Sequence, residues 1–267
     1  MKQYLTFFKM RFIAGLQYRV AALAGMSTQI VWGLMEVLLY RAFYLEYPER
    51  FPMGLQALVS YIWLQQAFLT LFAIFQWEQE LFESVKSGSV AYELVRPVNL
   101  YGMWSARTAA LRLSRAALRA VPVILLAVLL PEPYGLRLTV SPGVLLLFLL
   151  SLVLMVWVVV SLGMLCYSLS FYLVDATGLT TVVAASAEFF SGCIVPLPFF
   201  PKGIRMIAEL SPFGAMQNVP LRIFGGDIAG PEIFAAMGMQ LFWAAVLTTL
   251  GYLLMQHGLR RAVIAGG

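Results

Sequence analysis

The sequence predicts an all-α integral membrane protein with six transmembrane helices. Of its 267 residues, 61% are hydrophobic and 12% are charged, and the mean hydropathy is +0.84. A soluble domain carries about twice that charged share, near ~25%. The apolar residues form runs of about 20 residues, which is enough for a helix to cross the hydrocarbon core. Charge is concentrated in one stretch, from Glu78 to Arg119, which must lie in water because its polar groups would have no partners in lipid.

The apolar runs define one transmembrane domain over residues 1–267. The predicted spans cover residues 20–44, 55–77, 106–130, 142–169, a fifth run from about residue 179 that is interrupted at Pro196, and 233–255. Before the first span, residues 2–19 place Leu5, Phe8, Phe12 and Leu16 on one side of a helix. This pattern predicts an N-terminal helix in the membrane interface, with the frayed start of the first span as the alternative.

The distribution of basic residues predicts the orientation of the chain. Twelve of its 18 Lys and Arg residues fall in the two termini and in the stretch from Glu78 to Arg119. Basic residues accumulate on the cytoplasmic side of membrane proteins. We therefore expect a multi-pass protein of the plasma membrane (the bacterial inner membrane) with both termini and this stretch in the cytoplasm. For the four arginines from Arg107 to Arg119, contact with lipid phosphates is the interpretation we favour.

Composition argues against several function classes. Cys166 and Cys193 both lie in apolar runs, and His257 is the one histidine, so the sequence indicates no metal site. The basic residues flank apolar spans instead of forming a free arm, so the net charge of +5 does not indicate nucleic-acid binding. An intramembrane serine protease would need a histidine base at the depth of its serine, and His257 follows the last span. We expect no catalytic residue in the chain.

A proline-rich segment interrupts the fifth span. Prolines lack the amide donor that a helix needs, so Pro196, Pro198 and Pro201 predict that the fifth span breaks there. The residues assigned to the break are Gly192, Pro196, Pro198, Pro201 and Pro212. Between the last two prolines, Ile204, Ile207 and Leu210 fall on one helical face. The pattern predicts a short amphipathic helix that dips into the outer leaflet or lies on it without crossing.

Two motifs in these regions resemble the type-2 ABC exporter permeases. The first is Gly192-x3-Pro196-Leu-x-Phe-Phe-Pro201 followed by Ser211-Pro212-Phe and Val219-Pro220, and the second is Val85-x2-Gly88-x3-Tyr92-Glu-Leu-Val-Arg96-Pro97-Val-Asn99. The resemblance covers essentially the whole chain and is closest to the compact six-span permeases described as viologen or antibiotic exporters. It implies short extracellular re-entrant helices after the fifth span, and a dimer formed with a second copy or with a related permease. Export of an amphiphilic substrate is likewise what the resemblance implies.

The energy source would lie in a different polypeptide. The sequence has no GxxxxGKS or GxxxxGKT stretch and therefore no phosphate-binding loop of its own. The resemblance implies that ATP and Mg²⁺ are bound by separate ABC ATPase subunits. Residues 78–86 would form the coupling helix, with charges and apolar anchors that dock on the ATPase. The predicted coupling residues are Glu78, Glu80, Leu81, Phe82, Glu83, Val85, Lys86, Gly88, Arg96 and Pro97.

Polar residues deep inside the spans are candidates for a substrate path. An ionisable group at such depth is costly and faces protein or water, which suggests a function. The candidates are Glu36, Gln65, Gln66, Glu188 and the neighbouring rings of Phe189 and Phe190. Two carboxylates near aromatic rings would suit a cationic amphiphile. The alternatives are that Glu36 pairs with Arg41, that Glu188 caps the broken helix or is protonated, or that these groups join helices.

A second function class remains open at this stage. An ion-coupled secondary transporter or channel would work without an ATPase and could also use Glu36 and Glu188. The chain lacks obvious inverted repeats, which argues mildly against that class.

Overall fold

A computed structural model describes residues 2–17, 19–138 and 140–261, and in these residues the chain is helical, without strands. Helices account for 77% of the structure. In chain order they are α1 Lys2–Gly15, α2 Arg19–Glu46, α3 Leu55–Phe72, α4 Gln79–Lys86, α5 Ala91–Leu94, α6 Leu100–Leu129, α7 Pro142–Leu169, α8 Thr177–Phe190, α9 Lys202–Leu210, α10 Asn218–Gly225 and α11 Glu232–Arg261. The predicted fold class, an all-helical membrane protein, is confirmed.

Within the described residues, four helices are long and apolar enough to cross a membrane: α2, α3, α7 and α11. The other two predicted spans differ from these. Helix α6 has 30 residues but carries the four arginines in its first two thirds. Helix α8 has 14 residues, about 21 Å at 1.5 Å per residue, and is shorter than a full span. Six spans therefore stay a prediction.

Two predicted boundaries are wrong. The second span ends at Phe72 and not at 77, because the chain turns after Ala73 before α4 begins. The fifth helix ends at Phe190, before the predicted break at Pro196. Gly192 has a φ of 81°, a left-handed conformation that glycine adopts without strain and that ends helices. The glycine, and not the first proline, stops this helix.

Helix α3 forms the centre of the bundle. Leu58, Ile62 and Trp63 are completely enclosed, and α3 packs against α2, α6, α7 and α10. The Trp63 indole N–H donates to the Tyr134 carbonyl at 2.7 Å, which ties the loop before α7 to this helix. The sequence of α3 accordingly carries no charged residue, as expected for a helix surrounded by protein.

Helices α7 and α11 form the most extensive helix pair. Ser151 Oγ donates to Gln240 Oε1 at 2.9 Å, and Ser168 Oγ donates to the Gly251 carbonyl at 2.8 Å. These polar contacts lie almost five turns apart on α7, so they fix the register of the pair over most of its length.

The loops gather at two ends of the bundle. At the α4 end, Lys86 pairs with Asp175 at 3.6 Å and the backbone N–H of Asn99 donates to Tyr4 Oη at 2.9 Å. At the α10 end, Gly225 lies against Ala57 in the first turn of α3. The 18 residues of α3 separate the two ends by about 27 Å.

The N-terminal helix packs along α6. Gly15 lies against Ser114, and the ring of Tyr4 lies against Gly102. Leu5, which we grouped with Phe8 and Phe12 on one apolar side, is 70% exposed. The small residues at 15 and 102 decide where α1 and α6 approach, and the position of α1 in the membrane interface stays a prediction.

Candidate functional site

Helix α4 is the predicted coupling helix, and a buried ion pair fixes its start. The Glu78 carboxylate accepts hydrogen bonds from Arg107 Nε at 2.6 Å and from Thr108 Oγ1 at 2.7 Å, both on α6. The backbone N–H of Glu78 donates to Tyr167 Oη on α7 at 2.9 Å. The Glu78 and Arg107 side chains are about nine-tenths buried. The first residue before α4 is thus bound to two long helices.

Arg107 also binds Glu80, which is the first carboxylate within α4. The Arg107 guanidinium donates to this carboxylate and holds the pKa of Glu80 below its usual value. The Glu80 side chain is 80% exposed, so its outer oxygen faces solvent. One arginine therefore orients a buried carboxylate just before α4 and an exposed carboxylate within it.

Leu81 and Phe82 lie on the inner face of α4. Both are buried, and the Phe82 ring centroid lies 4.8 Å from that of Tyr167 and 6.0 Å from that of Trp77. We predicted that these residues, with Val85, offer apolar anchors to a partner. For Leu81 and Phe82 this is wrong, since they anchor α4 to its own chain, and Val85 is half-buried in the same cluster.

Two further arginines of α6 bind the end of α3 and the segment that follows it. Arg112 is buried and donates through Nη1 to the carbonyls of Leu71 at 3.1 Å and Ala73 at 2.9 Å. Leu71 lies in the last turn of α3, where carbonyls lack an amide partner within the helix, and Ala73 is the residue directly after the helix. Arg115 donates to Gln76 Oε1 at 3.4 Å. Lipid anchoring is therefore the wrong interpretation for Arg107 and Arg112.

The outward side of the α4 end combines charged and apolar residues. Glu83 and Lys86 are exposed on α4, and Gly88, with a φ of 73°, ends the helix. Arg96 and Pro97 are exposed after α5. The most exposed apolar side chains at this end are Tyr92 at 81%, Val95 at 84% and Val174 at 94%. We call Glu83, Lys86, Tyr92, Val95 and Val174 together the α4 face.

A cleft of about 420 Å³ separates α4 from the α7–α8 loop and is lined by Phe82, Lys86 and Val174 among others. The Lys86–Asp175 pair, with both side chains more than half exposed, spans it. The sequence predicted a short turn here, at Asp175 and Gly178 between the fourth and fifth spans, and the loop between α7 and α8 lies there. Its contact with α4 was not predicted.

Most of the polar residues assigned to the spans meet where α2, α3 and the segment after α8 come together. Gln66 Nε2 donates to Glu36 Oε2 at 3.4 Å, and Gln65 Nε2 donates to the Cys193 carbonyl at 2.7 Å. The alternative pairing of Glu36 with Arg41 is wrong, since the Arg41 guanidinium lies 5.2 Å from the ring centroid of Tyr134 instead.

Glu188 lies near the same junction. It is half-buried on α8, and Cys193 lies within electrostatic range of both Glu188 and Glu36. Phe189 and Phe190 pack edge to face with centroids 5.1 Å apart, and Phe189 is 47% exposed. Glu188 and Glu36 thus both lie towards Cys193, and Phe189 and Phe190 follow Glu188 on α8.

The segment after α8 folds back at the α10 end. Pro196 and Pro198 are buried, and the predicted short helix between Pro201 and Pro212 is α9. A second helix, α10, follows, which sequence reasoning missed. Glu209 on α9 accepts from Arg205 at 3.0 Å and from Arg222 at 2.6 Å, which joins the two helices. Arg222, two residues after the Val219-Pro220 motif in an otherwise apolar stretch, was the available signal.

Comparison with known families identifies the class of protein. The family model described as ABC-2 family transporter protein matches residues 23–266. The chain therefore belongs to the ABC-2 transporter family, as the resemblance of its motifs indicated, and is a membrane-embedded permease component of an ABC transporter. Family membership implies association with ABC ATPase subunits. No curated protein and no solved structure matches the chain.

Proposed function

We propose that the chain is the permease subunit of an exporter that moves an amphiphilic substrate out of the cytoplasm with energy from ATP hydrolysed in a separate subunit. The observation that carries this proposal is the attachment of α4. The helix is bound to α6 through Arg107 and to α7 through Tyr167, while its other side faces solvent. A helix held in this way can pass a displacement from a soluble partner to two long helices.

The ATP and Mg²⁺ needed for transport are bound by the partner ATPase, and no residue of this chain is proposed to catalyse hydrolysis. The α4 face supplies the docking surface, with Glu83 and Lys86 for polar contacts and Val95 and Val174 for apolar ones, and Glu80 adds a carboxylate beside it. Exposed apolar side chains together with charged ones are the usual composition of an interface between proteins. Gly88 and the Arg96–Pro97 turn shape the chain beyond α4.

Replacing Val174 with aspartate should reduce ATPase binding at least tenfold. Val174 is 94% exposed, so the change does not disturb packing, yet it places a charge in the apolar part of the α4 face. Co-purification from the native host, with the bound ATPase quantified by mass spectrometry, measures the effect. Leu138→Asp is the matched control, since Leu138 is 55% exposed at the other end. Undiminished ATPase binding by the Val174 variant would contradict the docking surface.

Helix α8 is the surface that we assign to a second permease. Within the described residues, Ala187 is its one buried side chain, and Val182 is 66% exposed. The helix is rich in small and hydroxyl residues, which favour close packing between membrane helices. A second copy or a related permease packed on α8 would complete the transport unit in the lipid bilayer. Crosslinking through a Val182→Cys substitution tests this arrangement.

The junction of Glu36 and Glu188 is the proposed substrate path, with Gln65, Gln66, Phe189 and Phe190 beside it. Replacing both carboxylates with glutamine should lower export of a fluorescent organic cation about tenfold, because each change removes a charge that attracts the cation. Uptake of the cation into inverted vesicles, which have the cytoplasmic face and the partner ATPase on the outside, measures the rate of export when ATP is added. Glu46→Gln, an exposed carboxylate at the end of α2, is the control. Unchanged export by the double variant would exclude this path.

The same vesicles distinguish ATP-driven export from ion-coupled transport. The Glu36–Gln66 contact inside the bundle is the observation that favours ion-coupled transport. Export that stops when the ATPase is removed and persists in the presence of an ionophore supports the ATP-driven mechanism. Transport that needs only an ion gradient would contradict the ATP-driven mechanism and support ion-coupled transport. We place the protein in the bacterial inner (plasma) membrane with the α4 end and both termini in the cytoplasm.

A further inference from the structure

A second cleft, of about 510 Å³, lies at the α10 end between α9, α10 and the start of α11. Its volume is typical of sites for small molecules, which measure about 300–1,000 Å³. The polar residues that line it are Arg205, Glu209, Asn218, Arg222 and Glu232. Apolar side chains, among them Leu210, Val219 and Met239, complete the lining. The cleft is far from the junction of Glu36 with Gln66 along the chain and uses different helices.

Helix α11 contributes both a charged and an apolar side chain to the lining of the cleft. Glu232 stands in the first turn of this helix, and Met239 stands seven residues further on, about 10 Å along the helix axis. Ala235 and Ala236 lie between them and leave space beside the helix. The lining of the cleft thus contains both charged and apolar side chains, which matches a molecule with a polar head and an apolar chain.

When Asp227, which binds Arg222 from outside the lining, is counted, the charges at the cleft leave an excess of one carboxylate. Arg205 and Arg222 are both neutralised, since Glu209 accepts from each and Asp227 accepts from Arg222 at 2.5 Å. In the part of the chain that the structure describes, Glu232 makes no ion pair. The charge that is left for a ligand is negative, so a cationic head is favoured.

Asn218 provides a second and independent indication of a ligand. Its side chain is 2% exposed and lines the cleft, and its Oδ1 has no hydrogen-bond donor among the described residues. A buried acceptor without a donor is costly, and native proteins supply a partner for nearly all such groups. Because Oδ1 accepts only, the missing partner must carry an N–H or O–H group.

We propose that this cleft binds an amphiphile with a primary ammonium head. The ammonium group lies between Glu232 and Asn218, to which it donates hydrogen bonds, and the apolar chain lies along α11 towards Met239. An aminophospholipid of the bilayer and a free single-chain amine both have this chemistry. Binding is a property of the permease alone, so this inference stands apart from the proposed export and can be tested without the ATPase.

Native mass spectrometry of the purified full-length chain in a non-ionic detergent tests the proposal. The probes are phosphatidylethanolamine and dodecylammonium, each compared with its methylated analogue, phosphatidylcholine or dodecyltrimethylammonium, which has no N–H donor. We expect the ammonium probes to bind at least tenfold more tightly than their analogues. Glu232→Gln should weaken ammonium binding about tenfold, since it removes a charge-assisted hydrogen bond. Ala235→Phe should abolish binding by filling the cleft without changing any charge.

Glu232 and Ala235 are both exposed, so neither substitution should prevent folding. Glu49→Gln, an exposed carboxylate outside the cleft at the same end, is the matched control. Tighter binding of phosphatidylethanolamine than of dodecylammonium would identify a bilayer lipid as the occupant, and the reverse order would identify a free amphiphile. Equal binding of ammonium probes and methylated analogues, or wild-type binding by the Glu232 and Ala235 variants, would overturn the proposal.

Discussion

Replacing Arg107 with alanine should lower the free energy of unfolding by about 3 kcal/mol and abolish stimulation of the ATPase by substrate. The substitution leaves the Glu78 carboxylate, about nine-tenths buried, without its cationic partner, and breaking such a pair from one side costs about 3–5 kcal/mol. The substitution also removes the guanidinium that binds the Glu80 carboxylate. Thermal unfolding in detergent and the ATPase rate of the reconstituted complex measure the two effects.

Lys86→Ala serves as the comparison for this prediction. It removes the Lys86–Asp175 pair, in which both side chains are more than half exposed, and should change stability by less than about 1 kcal/mol. A double variant, Glu78→Gln with Arg107→Met, should recover part of the lost stability because no buried charge is left unpaired. Equal stability of the Arg107 and Lys86 variants would show that the buried pair does not hold α4.

Replacing Gly214 with alanine should destabilise the protein by about 3 kcal/mol or more, which makes it the most damaging single-methyl change that we expect. A Cβ at this position would lie 2.2 Å from the Ala208 carbonyl oxygen and 2.8 Å from Glu209 Cα. Both are backbone atoms, which cannot move aside as a side chain can. Overpacking of this kind costs about 1–3 kcal/mol, and more where the backbone must shift. The unfolding temperature of the purified variant measures it.

The matched substitution is Gly203→Ala, in the first turn of α9. A Cβ there meets no atom within 4 Å, and alanine favours the helix over glycine by up to about 1 kcal/mol. We expect this variant to be as stable as the wild type or slightly more stable. If both variants unfold at the same temperature, the close approach of α9 to the loop before α10 does not contribute to the fold.

Composition and periodicity were enough to predict the helical class and several elements closely. The run over residues 142–169 is α7 as predicted, and the helix between Pro201 and Pro212 is α9. These predictions hold because proline, Ser141 as N-cap and apolar length act locally. The end of α8 was misplaced because Gly192 adopts its left-handed conformation in a tertiary setting, against Tyr61 and Leu197.

The roles of the α6 arginines depended on contacts between elements that are distant in sequence. Arg112 binds carbonyls about 40 residues earlier, and no local pattern specifies that distance. A signal did exist, since basic residues at helical spacing within an apolar run face protein or water more often than lipid. The inward orientation of Leu81 and Phe82 could likewise not be read from α4 alone, because either face of a short amphipathic helix can be the buried one.

The enclosure of α3 has a consequence for how the protein senses its membrane. Because α3 is surrounded by protein, its 18 residues need not match the thickness of the hydrocarbon layer. Helices α2, α7 and α11 expose large apolar side chains and must adapt to that thickness by tilting. Acyl-chain length should therefore act on the peripheral helices, which would tilt around a centre that keeps its position as the bilayer becomes thinner or thicker.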